Sequence, residues 1–489
     1  MTAKTDGAAA RRSGARASGR GAARAAAVEQ PSRADRVARG KDARAVAPLD
    51  SHAEFRAGRS RDPVGLLLGQ AQSRVPELVP VRHGRMLVSA FTFYRGAALP
   101  MAADLAGTPM SGLRVQLCGD AHLSNFGAFA SPERRLVFDV NDFDETLPGP
   151  FEWDVKRLAA SFAVAGRDNG FAAKGRRKIV LAAAEGYRTA MLAFAEQPLL
   201  DVWYTHVDIE QAIREVRSQI QAKRLKAGQK LLAKAHTSDS TKVLGKLTTM
   251  EGGRRRIISD PPMIMPIEEV FSDVQARAIY EQIRTVLGTY LRTLQPDRRH
   301  LLEQFTLVQV ARKVVGVGSV GTRAWIVLMD ACDGDEPLFL QAKEAQPSVL
   351  ADYCGASQHA NQGERVVAGQ HLMQAESDIF LGWTTAPGPD QVDRDFYVRQ
   401  LKDWKFSFPI EAMIPSGMTV YARLCGSTLA RAHARSGDRV ALAAYLGGSG
   451  KFDQAIADFA EAYADQNERD YAALQAAVKD GKVESTTEI

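Results

Sequence analysis

Cys118-Gly119-Asp120-Ala121-His122-Leu123-Ser124-Asn125, followed closely by Phe138-Asp139-Val140-Asn141-Asp142-Phe143-Asp144-Glu145, gathers ionisable and amide side chains where short apolar runs meet a loop. Val115–Cys118 and Leu136–Phe143 have the composition of short strands, and the Gly, Asn and Ser between them mark a connection. Asp139, Asp142 and Asp144 would repel one another without a cation or strong donors. Metal-assisted phosphate chemistry is the expectation. Magnesium takes hard oxygen ligands, keeps several waters and leans on substrate phosphates, so one Asp and one Asn can suffice. Asn125 and Asp142 are the expected metal pair, with Asp139 and Asp144 as rivals for the carboxylate. Asp120 then stays free of the ion to orient a hydroxyl and accept its proton, and His122 can contact a phosphate. Cys118 reads as core, and Phe138 and Phe143 as packing residues.

A second motif lies far downstream. Gly316-Val317-Gly318-Ser319-Val320-Gly321-Thr322-Arg323 separates two apolar β-like runs, where closely spaced glycines let backbone amides approach phosphate oxygens. It lacks the Gly-Lys-Ser/Thr ending of a P-loop, and no regular βαβ unit supports dinucleotide binding. Lys343, in the apolar strand Leu338–Ala345, is about 20 residues beyond the loop and within hairpin reach of phosphates beneath it. A buried lysine needs an anion or loses its proton. Glu364 is the expected partner, with Glu344 and Glu376 as alternatives.

Hydrophobic residues at 45% and charged residues at 25% over 489 residues suit a soluble globular chain of more than one lobe. Residues 1–46 carry eleven Lys or Arg against four Asp or Glu, with few large apolar side chains, and are expected to form a disordered basic tail. That tail is +7 in a chain of net charge +6, so the remainder is near neutral and a specific nucleic-acid surface is not expected. No apolar run reaches the roughly 18–20 residues of a membrane span, and no secretory signal is evident, so a cytoplasmic location is expected. The four cysteines are far apart, which indicates reduced thiols.

The pattern divides the chain into a catalytic-loop and mainly helical lobe (47–305), a β-rich lobe (306–402) and closing helices (403–489). A weak strand is expected over Met86–Gly96, with a short helix from Ala98. Further helices are expected over Trp153–Glu196, 208–247, 269–295 and Gly363–Asp378. The cationic patch Lys223, Arg224, Lys226, Lys230 and Lys234 reads as a solvated helix face.

Together these motifs resemble the protein-kinase-like superfamily, particularly aminoglycoside phosphotransferases and choline kinases. Over roughly residues 55–470 the chain resembles the bacterial domain-of-unknown-function family 2252. Gly119–Asn125 is similar to the small-molecule kinase catalytic loop Gly-Asp-x-His-x-x-Asn. The resemblance implies that Asp120 orients the hydroxyl, Asn125 and the first carboxylate of Asp142-Phe-Asp144 hold Mg2+, and Asp154 in the following helix supports the loop. It further implies that Gly316, Gly318, Ser319 and Gly321 cover ATP, with Lys343 on its phosphates and Glu364 paired to Lys343. Cys118 replaces the usual His and Leu123-Ser124 the usual Pro-Gly.

The glycine loop and lysine come almost 200 residues after the catalytic loop, the reverse of the kinase order. Gly426–Asp438 resembles the helix that normally precedes the catalytic loop, so a circular permutation reconciles the order. The expected fold is therefore α+β, two-lobed and kinase-like, circularly permuted, with helical additions. The expected function is ATP- and Mg-dependent phosphate transfer to an unidentified small-molecule hydroxyl. Nucleotidyl transfer to a protein acceptor (AMPylation) and a non-catalytic nucleotide-binding pseudokinase module are the alternatives.

Overall fold

The computed structural model describes residues 31–58, 60–210, 240–314, 316–332, 336–388, 390–401 and 404–486. The cationic patch at 223–234 lies outside them, as do residues 1–30 of the expected tail.

The strands in chain order are β1 (Arg114–Leu117), β2 (Phe126–Ala130), β3 (Leu136–Val140), β4 (Leu147–Pro150), β5 (Val207–Asp208), β6 (Thr248–Glu251) and β7 (Arg254–Ile257). They continue with β8 (Ile264–Pro266), β9 (Phe305–Lys313), β10 (Ala324–Ala331), β11 (Pro337–Glu344), β12 (Gly382–Pro387) and β13 (Asp393–Gln400). β12-β13-β11-β10-β9-β8 form one six-stranded antiparallel sheet, while β1-β4, β2-β3-β5 and β6-β7 form three smaller ones. The architecture is mixed α+β, with several separate sheets and many helices.

Period-2 alternation gives the large sheet two buried faces. Val327, Met329, Leu338 and Leu340 pack toward the helix Asp273–Leu291, whereas Ile326, Leu328 and Phe339 point the opposite way. On β11 that second face continues through Gln341 to Lys343, so the parity that buries Phe339 also aims the lysine. The larger core belongs to the helices Phe151–Asp168, Ala173–Glu196, Pro415–Ser436 and Lys451–Lys479, whose apolar residues join those of β1–β4 in one cluster. The carboxylate-rich connection between β3 and β4 lies at the edge of that helical core.

Two expectations are corrected. Met86–Gly96 is helical, with Val79–Met86, Ala90–Gly96 and Ala98–Leu105 as three short helices. Ser89 caps the second of these in a reciprocal box with Thr92, a local start signal that outweighs the β-like composition. The tail is not wholly irregular, because Ser32 caps a helix over Arg33–Val46. Its small residues substitute close approach for apolar area. A Cβ at Gly40 would collide with the Ala441 carbonyl oxygen, and Arg36 pairs with Asp438 at 2.7 Å.

Candidate functional site

The loop after β1 is shaped by a carboxylate behind it. Asp154, in the helix Phe151–Asp168, accepts from the amides of Cys118 (2.8 Å) and Gly119 (3.1 Å). His433 reaches the same carboxylate from Pro415–Ser436 at 3.2 Å, and Tyr187 contacts the other ring nitrogen at 2.9 Å. Gly119 has φ +84°, and a Cβ there would strike the Glu145 carbonyl oxygen, so no other residue fits. Cys118 is wholly buried, and burial pushes its thiol well above the ordinary range, which suits a core residue.

Asp120 emerges beyond this support. Its Oδ1 accepts from Arg157 Nε at 2.9 Å and Nη2 at 2.8 Å, while Oδ2 stands 3.8 Å from His122 Nε2. Burial raises the Asp120 carboxyl above its usual value, with Arg157 opposing. His122 is driven well below neutral by burial and by Arg95 and Arg157, and is therefore an uncharged imidazole. Asn125 Nδ2 donates to the Asp120 carbonyl at 2.8 Å. Its Oδ1 accepts from no described residue.

The three rival carboxylates divide clearly. Asp139 points away from the cleft into a buried pair with Arg431 at 2.5 Å, and both side chains are only 3% exposed. It also accepts from the amides of Val140 (2.9 Å) and Ala375 (3.0 Å), so it is corrected from metal ligand to structural anchor. Asp142 follows the end of β3 and faces the cavity, its Oδ1 accepting from the Asp144 amide at 3.2 Å. Burial and the neighbouring Asp144 raise its carboxyl, against Lys343 and Arg399. Asp144 pairs with Lys343 Nζ and accepts from Tyr397 Oη (2.7 Å) and Ser319 Oγ (3.2 Å). Burial pushes Asp144 upward, but Lys343 and Tyr397 prevail and hold it below the ordinary range.

Lys343 therefore has its anion, although not the expected one. Glu364 is 37% exposed and lies 3.4 Å from His359, while Glu344 pairs with Arg323 at 3.3 Å. The phase of the helix Gln362–Met373 explains the difference. Glu364 turns outward, and its neighbour Arg365 turns in to donate to the carbonyls of Asp144 (2.8 Å), Thr146 (2.7 Å) and Gln346 (2.8 Å). Burial opposes the Lys343 charge, but Asp144, Tyr397 and Asp142 outweigh it, and the ammonium is held more firmly than in water.

The glycine loop closes the cleft. Gly316 (φ +70°) and Gly321 (φ +89°) take left-handed turns, and the strand pairing of β10 with β11 sets Lys343 opposite Ala324 just past the loop. Residues of the helical segment hold the loop by its carbonyls. Arg85 donates to Gly316 at 2.6 Å, Arg74 to Val320 at 2.5 Å and the Val75 amide to Gly321 at 2.8 Å.

Two cavities open here. One of about 370 Å³ is lined by Asp120, His122, Asn125, Asp142, Asp144 and the loop residues Gly316–Ser319. The other, about 380 Å³, receives Gln341, Lys343 and Arg399 from the sheet and shares Asp142, Gly316 and Ser319 with the first. Thus Asp120, Asn125 and Asp142 line the first cavity and Lys343 the adjoining one, with Asp142 common to both walls, whereas Asp139 and Glu364 line neither. Among the described residues no group of three His, Cys, Asp or Glu side chains is arranged to hold a metal by itself, and no helix is long and apolar enough to cross a membrane.

Sequence reading missed the arginines of this cleft. Arg157 follows Lys156 in the apolar run after Trp153, and Arg82 and Arg95 interrupt apolar helical runs. A cation in a run that must be buried was the available signal.

Fold and site together define a mixed α+β protein with a polar cleft between a six-stranded sheet and a helical core. The chain belongs to the family described as "Uncharacterized protein conserved in bacteria (DUF2252)", which it matches over residues 74–477. No curated protein and no solved structure matches it.

Proposed function

We propose that the cleft carries out ATP- and Mg-dependent phosphate transfer to a small-molecule hydroxyl, on a circularly permuted, two-lobed kinase-like framework. The observation that carries this reading is the meeting of Lys343 with Asp144, across 199 positions of chain, beside Asp120 and Asn125. A buried ammonium, an amide oxygen and two carboxylates are the groups that phosphoryl transfer needs from a protein.

The free oxygens of Asn125 and Asp142 are hard donors of the kind Mg2+ prefers, and a site of two protein ligands completed by water and phosphate matches magnesium's habits. Bound there, the ion would neutralise charge on the phosphates. Lys343 would hold phosphate oxygens once Asp144 shares its ammonium, and the amides of Gly316–Gly321 would cover them. Asp120 Oδ2 takes the hydroxyl proton as the acceptor oxygen bonds to the γ-phosphorus and the bond to the leaving diphosphate breaks. Arg157 fixes the carboxylate's orientation through Oδ1. Neutral His122 carries no charge that would compete for the Asp120 proton site.

The test is a mass-spectrometric screen of ATP-dependent modification of metabolites and proteins, with wild type beside Asp120→Asn. Loss of at least about 100-fold in acceptor-dependent phosphate transfer, with folding and ATP binding retained, is expected. A nucleotidyl-protein product would select AMPylation, and magnesium-assisted ATP binding without any product a pseudokinase role. Equal products from the two proteins would remove Asp120 from the chemistry.

A further inference from the structure

The cavity that holds Asp120 has a second wall, which the phosphotransferase reading does not use. Arg74, Arg82 and Arg95 line it, from the helical segment that precedes β1. Arg82 is 0% exposed and Arg74 6%. Arg82 donates through Nη2 to Gln70 Oε1 (2.6 Å) and the Gly96 carbonyl (3.0 Å), which leaves its Nε and Nη1 buried without a partner. Arg74 spends Nη1 on the glycine loop, and its Nε is likewise unsatisfied; so is the Nε of Arg95. None of the three forms an ion pair with any described carboxylate.

Buried cations in this state are costly. Desolvation of an unpaired charge outweighs most single contacts, and an unfilled guanidinium donor adds its own penalty. Burial holds the Arg74 guanidinium down to about 10, and burial with the repulsion of Arg74 pulls Arg82 well below its usual value. Glu145, Asp144 and Glu344 offset the burial of Arg74 only in part, as Asp120, Glu411 and Asp142 do for Arg95. Asp144 is committed to Lys343, Asp120 to Arg157 and Glu344 to Arg323, and Glu145 faces the cavity while accepting from the Val349 amide at 2.7 Å. Forked donors facing a polar cavity are the usual means of recognising phosphate oxygens.

We infer that this wall is an anion subsite that seats a phosphate monoester, with Arg74, Arg82 and Arg95 supplying the donors. Resting on the phosphotransferase reading, it makes the acceptor an already phosphorylated small molecule. Its hydroxyl lies toward Asp120 while its phosphate lies on the arginines, and the nucleotide enters from the Lys343 side.

Inorganic phosphate is the probe. Titration of the full chain without nucleotide should show saturable binding and a rise in thermal midpoint. Arg95→Gln breaks no hydrogen bond in the structure, and it should weaken phosphate by about tenfold or more while leaving Mg-ATP affinity within about twofold. Arg74→Gln should do the same to phosphate, and its fold is checked by circular dichroism because Arg74 also clamps the loop. Phosphate and Mg-ATP should bind together. Failure of wild type to bind phosphate, or binding untouched in Arg95→Gln, overturns the inference. So does simple competition between ATP and phosphate with both weakened in Arg95→Gln, which would give the arginines to the nucleotide. Arg95-dependent phosphate binding in a protein that binds no ATP would keep the anion subsite and sink the phosphotransferase reading instead.

Discussion

Replacing Asp139 by alanine separates structural from metal-binding carboxylates. The substitution strands Arg431, whose Nη2 meets Asp139 Oδ1 at 2.5 Å in a pair only 3% exposed, so water cannot take over the lost contact. Breaking a buried pair from one side costs about 3–5 kcal/mol. The amides of Val140 and Ala375 also lose an acceptor, at about 1 kcal/mol each before relaxation. Because these terms share one site they do not add fully, and a net loss of about 4 kcal/mol is expected. Urea unfolding followed by tryptophan fluorescence reads it as a lower midpoint. Coupling to Arg431→Met should restore part of the loss, since removing both charges leaves no stranded cation. Mg-assisted ATP binding by folded Asp139→Ala should persist. A loss under about 1 kcal/mol, far below what a stranded buried cation costs, or intact stability with metal dependence gone, would refute the assignment of Asp139 as an anchor.

Asn125→Ala and Asp142→Ala should each raise the magnesium concentration needed for ATP binding, and Lys343→Met should weaken ATP itself by about 10-fold or more. Unchanged titrations in all three folded variants would reject the cleft assignment. Glu145 has its carboxyl pushed up to about 7 by burial and by Asp144 and Asp120, against the Val349 amide and Arg365. The native state thus holds a proton that the unfolded chain releases near pH 4.5, so this group's contribution to stability falls as pH rises from about 4.5 to 7. Glu145→Gln keeps an acceptor for Val349 and should gain thermal midpoint over wild type at pH 7.5 but not at pH 4.5; an equal difference at both would contradict it. Gly40→Leu should unseat Arg33–Val46 from Ala441 and open that helix to limited proteolysis, and an unchanged cleavage pattern would show that the close approach is dispensable.

The motifs legible in the sequence were those whose residues act locally. Gly119, Asp120 and Asn125 are constrained by one loop and could be read together, and the kinase resemblance pointed to Asp154, whose carboxylate holds that loop's amides. The choice among Asp139, Asp142 and Asp144 could not, because it depends on Arg431 and Lys343, which arrive from elements almost 300 and 200 positions away. The β-rich texture after residue 305 was plain from its β-branched, glycine-punctuated composition, but the expected pairing of Glu364 with Lys343 failed because a one-residue change of helix phase exchanges core for solvent and turns Arg365 inward instead. Met86–Gly96 misled by composition, and residues 33–46 by their small side chains. In the second case the stabilising contact is a backbone approach that no hydropathy scale registers.

The clamp on the glycine loop also has a meaning in time. Arg85 and its carbonyl acceptor are 231 positions apart, and Arg74 and its acceptor 246. At roughly 5–20 residues per second, the ribosome delivers the loop about 12–50 s after the arginines have been made. Until then Arg74 lacks its acceptor, the Val320 carbonyl, and hydration is its cheapest state. The cleft's rim is consequently a late event in folding, closed by contacts of very long range that slow assembly and leave the early helices exposed in the interval. A nascent chain stopped before residue 316 should therefore keep this segment protease-sensitive, and release should occur only when the loop has emerged.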